Sequence, residues 1–113
     1  MEWLDNIGNS DSVIYDIEIK DSCLIVYIKL WDEVIRRVKF IDYHMFKDKN
    51  SIGEEIGDIK VQDDSIMMEE LRQDILNGDG TLDEIADVKS IIFYNAWNDK
   101  IILEILAEKI VCE

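Results

Sequence analysis

The chain has 113 residues, of which 26 are acidic and 12 basic, for a net charge of −14. At 48% hydrophobic, with no proline and five glycines, it fits a single ordered domain over residues 1–113, long enough to bury roughly two-thirds of its unfolded surface. The composition excludes a linker or disordered tail, and the charge disfavours nucleic acid and anionic membrane while allowing a basic protein partner or cations.

Residues 1–11 hold Trp3, Leu4 and Ile7 ahead of Gly8-Asn9-Ser10-Asp11, which reads as a short amphipathic turn tucking Trp3 and Ile7 onto a sheet, then a loop. No basic start and apolar run marks a signal peptide, and no apolar run approaches the roughly 20 residues of a membrane helix. Cys23 and Cys112 have no metal-ligand spacing and read as reduced thiols of a cytoplasmic protein.

Residues 12–46 read as three strands joined by tight polar turns. In the first, Val13, Tyr15, Ile17 and Ile19 alternate with Ile14, Asp16, Glu18 and Lys20, so the first row is expected against a core. Asp21-Ser22 supplies a turn. The second strand, residues 23–31, sets Leu24, Val26, Ile28 and Leu30 against Cys23, Ile25, Tyr27, Lys29 and Trp31; with both faces largely apolar it is expected to be central. After Asp32-Glu33 the mixed rows of residues 34–41 suggest a strand nearer an edge, or one bent by a bulge. Residues 42–51 read as a connection whose aromatic half, including Tyr43 and Phe46, covers a core edge.

A fourth strand is expected at residues 56–62, with Ile59 and Val61 inward. Asp63-Asp64-Ser65 then offers N-cap side chains to a helix over residues 66–76, and Asn77-Gly78 stops it. Met67, Met68, Leu71, Ile75 and Leu76 form its apolar stripe. Thr81-Leu82-Asp83-Glu84 fits a capping box and one further turn. Residues 88–97 and 100–111 make a second hairpin, in which Trp97 precedes Asn98-Asp99 much as Trp31 precedes Asp32-Glu33. Both Trp residues are expected to cap the shared core. The resulting fold class is α+β, a twisted antiparallel sheet of about six strands with one main helix packed on one face.

The sequence carries little catalytic chemistry. Asn77-Gly78-Asp79-Gly80 is similar to part of an EF-hand loop, but aligning Gly80 with the loop glycine puts Ile75 and Ala86 at ligand positions, and neither coordinates calcium. Acid pairs such as Glu54-Glu55 and Glu69-Glu70 are expected by abundance alone. His44 is the sole histidine, no Gly-x-Ser-x-Gly elbow accompanies it, and no glycine-rich phosphate loop is present. Arg36, Arg37 and Lys39 alternate between faces and make a poor nucleic-acid stripe. No enzyme, cofactor or metal site is therefore expected.

The acidic segment is the best candidate for function. Residues 53–87 hold twelve carboxylates against Lys60 and Arg72, so a third of the chain carries −10 of the −14. With the helix stripe facing the sheet, Glu69, Glu70 and Asp74, with Asp79, Asp83 and Glu84 just beyond, face outward as a partner-binding surface that steers a basic protein. The competing reading is a solubilising face that binds nothing in particular.

Gly8-Asn9-Ser10-Asp11 leading into residues 14–19, the first hairpin, and Ala96-Trp97-Asn98-Asp99-Lys100-Ile101 followed by Leu103-Glu104-Ile105 give a chain that resembles the small acidic immunity proteins of bacterial toxin systems. The resemblance implies a cytoplasmic stoichiometric inhibitor that occludes a toxin, its acidic side chains mimicking substrate phosphates or covering a catalytic surface. Tyr43, Phe46 and the two hairpin-corner Trp residues are candidate hot spots where exposed. The competing expectation is a structural or assembly module that self-associates through an open sheet edge.

Overall fold

The computed structural model describes residues 11–113, and the expected turn bearing Trp3 and Ile7 lies outside the described residues. Six strands form one antiparallel sheet: β1 (Val13–Lys20), β2 (Cys23–Lys29), β3 (Ile35–Asp48), β4 (Ile56–Gln62), β5 (Lys89–Asn95) and β6 (Ile101–Cys112). Their order is β1-β2-β3-β6-β5-β4, and helix α1 (Ile66–Asn77) and a short 3-10 turn (Leu82–Ile85) lie between β4 and β5. This is the α+β class that the run of strands, one helix, then strands predicts.

The sheet curls until its two edges meet at one corner. Ile14 N donates to Glu54 O at 3.1 Å, Ile56 N to Ser12 O at 2.8 Å and Gly53 N to Ile14 O at 2.7 Å, which pins the start of β1 to the segment leading into β4. One core therefore collects side chains from both ends of the sheet, among them Ile14, Leu24, Phe40, Ile56, Phe93 and Ile105. Phe40 and Phe93 meet edge-to-face across it, with ring centroids 6.3 Å apart. Both rings are fully buried.

Bulges make the curl possible and overturn two expectations. One between Ile14 and Asp16 shifts the register of β1, so Ile14 is buried and Tyr15 faces solvent, while Ile17 packs on the core as expected and Ile19, opposite buried Leu24 on the edge strand, stays half exposed. A second lies between Tyr43 and Met45, next to Asp42 at a left-handed φ of 53°. Strand β3 continues through it to Asp48, so residues 42–48 are strand and not a connection. It is also central, bonded to β2 on one side and β6 on the other. Tyr43 and Phe46 meet each other edge-to-face, with ring centroids 5.9 Å apart, and pack on the core.

Helix α1 covers the opposite face of the sheet. Ser65 Oγ accepts from Met68 N at 3.0 Å and caps the helix. Met67, Met68 and Leu71 are buried against Leu106, Ile85 and Val88, with Met45 and Ile75 at the margin. Leu106 alternates with Leu103, Ile105 and Ala107 of the main core, so β6 is covered on both faces. Leu76, expected in the stripe, and Val61, expected inward on β4, are both exposed.

Candidate partner-binding surface

With Met67, Met68 and Leu71 against the sheet, the helical period turns Ile66, Glu69, Glu70, Gln73 and Asp74 to the other side, where they line one shallow surface. Gly78 N donates to Asp74 O and Gly80 N to Ile75 O, closing the helix. A Cβ on Gly80 would lie 2.8 Å from Ile75 Cγ2 and 3.0 Å from Glu84 Oε2, so only glycine lets the chain double back here. Asp79 therefore follows the helix end directly and the Glu84 carboxylate returns to it, while Leu82, Ile85 and Ala86 run back beside Met68 and Arg72 with Asp83 among them in sequence.

The six predicted carboxylates thus fall into two groups. Glu69 is paired with Arg72, and Glu70 lies 3.6 Å from Lys47. Asp74, Asp79, Asp83 and Glu84 have no ion pair among the described residues. The last turn of α1 contains no basic residue either, so Asp74, Asp79 and Glu84 sit unrelieved at the negative end of the helix dipole. Such placement lowers the stability of the free protein.

The acids at the other end of α1 are neutralised. Lys89 reaches from β5 to Asp63, and Arg72 bridges Asp64 and Glu69 while donating to Asp63 O. The Lys89 hydrogen bond and charge hold the Asp63 carboxyl below its ordinary range, and Asp63 raises Lys89 in turn. Arg72 is raised chiefly by its bond to Asp64. These pairs tie the helix start to the sheet and leave the negative potential concentrated at its far end.

The hairpin-corner Trp residues depart from expectation. Trp31 is 72% and Trp97 83% exposed, so neither caps the core. Each lies within a turn, ahead of Asp32-Glu33 or Asn98-Asp99, and that position was the available signal for exposure. Among the described residues no group of three or more His, Cys, Asp or Glu side chains is placed to hold a metal, and no helix is long and apolar enough to cross a membrane.

Fold and surface together define a small α+β protein with a curled six-stranded antiparallel sheet, a filled core and one acidic helix end. The chain matches no protein-family model, no curated protein and no solved structure.

Proposed function

We propose that this protein is a stoichiometric protein-binding inhibitor of the immunity type, which neutralises a basic partner such as a toxin domain by covering its working surface. The observation that carries the reading is the uncompensated negative charge of Asp74, Asp79 and Glu84 at the C-terminal end of α1, with Asp83 also unpaired on the adjoining 3-10 turn. A cationic partner relieves the repulsion that these groups suffer in the free protein, so association gains what folding loses. Glu69 and Glu70 extend the field along the helix and steer the encounter. Inhibition of this kind needs no catalytic residue and no cofactor in the inhibitor itself.

Self-assembly through an open edge fits less well. Both edge strands are bulged, and at each bulge an aspartate takes the next amide: Asp16 Oδ1 accepts from Ile17 N at 2.8 Å, and Asp58 Oδ1 from Ile59 N at 2.9 Å. A pairing strand finds those donors already engaged.

Combined reversal of Asp74, Asp83 and Glu84 to Lys separates stability from binding. The variant is expected to melt higher, by about 5 °C, because like charges leave the negative helix end, and to lose the basic partner that the wild-type protein captures. Capture at wild-type level by the reversed variant overturns the reading.

A further inference from the structure

We propose that the outward stripe of α1 seats an amphipathic helix of the basic partner, which packs a large aliphatic side chain on Ile66 and sets a lysine or arginine against Asp74. The proposal rests on the reading that a basic protein binds this face, and it deepens that reading by fixing the partner's chemistry at two points. Ile66, Glu69, Glu70, Gln73 and Asp74 recur at the i, i+3, i+4, i+7 and i+8 spacing of one helix face and line a shallow depression of about 400 Å³.

Ile66 contributes little to the fold. It is the first residue of the helix and 83% exposed, while the core contacts of α1 come from Met67, Met68 and Leu71. A β-branched side chain in water also supports the helix less well than glutamine, lysine or glutamate would. The floor of the depression is nonetheless mainly apolar. Ile66 is the one hydrophobic residue in its lining, so the methylene stems of the acids and of Gln73 supply the remainder. Together they offer a seat for one aliphatic group, with the polar ends held clear of it.

The charge along the stripe is graded. Both oxygens of Glu69 are engaged, Oε1 accepting from Gln73 Nε2 at 3.2 Å and Oε2 lying 3.3 Å from Arg72 Nη1. Glu70 lies 3.6 Å from Lys47 of β3. Asp74 has no ion pair among the described residues and stands by the negative end of the helix dipole. A partner's cation is therefore drawn to Asp74 ahead of its neighbours, at a point about 12 Å along the axis from Ile66.

A helix is the occupant that matches a straight stripe of this period. Side chains of a facing helix meet it at the same spacing, and an aliphatic residue two turns from a basic one reproduces the separation of Ile66 and Asp74. Charge excludes the alternatives. A second copy of α1 would set Glu70 and Asp74 against their own kind, and an anionic bilayer would be repelled. A polycation without aliphatic side chains satisfies Asp74 and leaves Ile66 in water.

The test measures, by fluorescence anisotropy, the binding to the full chain of two helical peptides of identical lysine, leucine and alanine composition. One carries its leucine and its lysines two turns apart on a single face, and the other carries them on opposite faces. The first is expected to bind about tenfold tighter, and both Ile66→Gln and Asp74→Asn to abolish that advantage. Ile52→Gln, which removes a half-exposed aliphatic side chain where the sheet closes, leaves it intact. Glutamine is the better helix former, so Ile66→Gln is expected to melt no lower than wild type, which separates a lost contact from a lost fold. No saturable binding of either peptide, or an advantage that survives Ile66→Gln or Asp74→Asn, overturns the proposal. Equal affinities that are salt-sensitive and fall on reversal of Asp74, Asp83 and Glu84 to Lys overturn it and leave the inhibitor reading standing. Affinities indifferent to salt and to that reversal overturn both.

Discussion

Asn95 holds Glu54 across the corner where the sheet closes: its Nδ2 donates to Glu54 Oε2 at 2.7 Å, while its Oδ1 accepts from the Trp97 amide at the same distance. One buried amide thus fixes both the segment leading into β4 and the turn between β5 and β6. Asn95→Ala leaves partners on both sides unmatched and is expected to cost about 2 kcal/mol by urea denaturation. Asn95→Asp sets a second carboxylate against Glu54. Its destabilisation is expected to exceed that of Asn95→Ala in the same urea series, because two carboxylates then face each other at a buried corner.

The two kinds of aromatic residue should respond differently to truncation. Phe93→Ala empties the centre of the core and is expected to cost about 3–5 kcal/mol. Trp97→Ala, at a position 83% exposed, should change stability by no more than about 0.5 kcal/mol. Equal losses in a denaturant series would mean that Trp97 packs on the core after all.

Acid sensitivity should depend on the Lys89–Asp63 pair. Because Lys89 holds the folded-state pKa of Asp63 below its ordinary value, the pair stabilises the protein above the unfolded carboxylate pKa. That contribution is lost as pH falls through the depressed folded value. Lys89→Met removes it, so the variant is expected to be less stable than wild type near neutrality and to converge on it in acid. A constant gap in melting temperature across that range would exclude the linkage.

Edge protection can be tested by removing the aspartates that occupy the edge amides. The double variant Asp16→Ala, Asp58→Ala frees the Ile17 and Ile59 amides and is expected to sediment as dimers or larger species where the wild-type protein does not. A variant no more associated than wild type would show that the bulges alone suffice.

The pattern of residues carried much of this fold, and its failures have local causes. The end of β4 was legible because Asp63-Asp64-Ser65 follows Gln62, and α1 because its cap and stop flank a clean apolar stripe. In β1 alternation places Ile17 on the core side correctly but takes Tyr15 for Ile14, because it assumes an unbroken register and a bulge at Ile14 leaves no mark in composition. The length of β3 was missed because Asp42 reads as a turn residue, although at a left-handed φ it also serves a bulge inside a strand. Of the candidate surface, the outward set of Glu69, Glu70 and Asp74 followed from helical period alone. That Arg72 and Lys47 neutralise Glu69 and Glu70 did not, since Lys47 arrives from a strand more than twenty residues away. The pinning of β1 to residues 53–56 depends on sheet closure, which pairwise strand patterns do not encode.

Affinity capture from the lysate of the protein's own organism, at low and high salt and with mass-spectrometric stoichiometry, tests the central claim most directly. The wild-type protein is expected to retain one basic partner at equal stoichiometry, more slowly associating at high salt, and the variant with Glu69, Glu70 and Asp74 reversed to Lys is expected to lose it. Recovery of the bait alone, or of the same partners with the reversed variant, would contradict the claim that this acidic helix face exists to bind a basic protein.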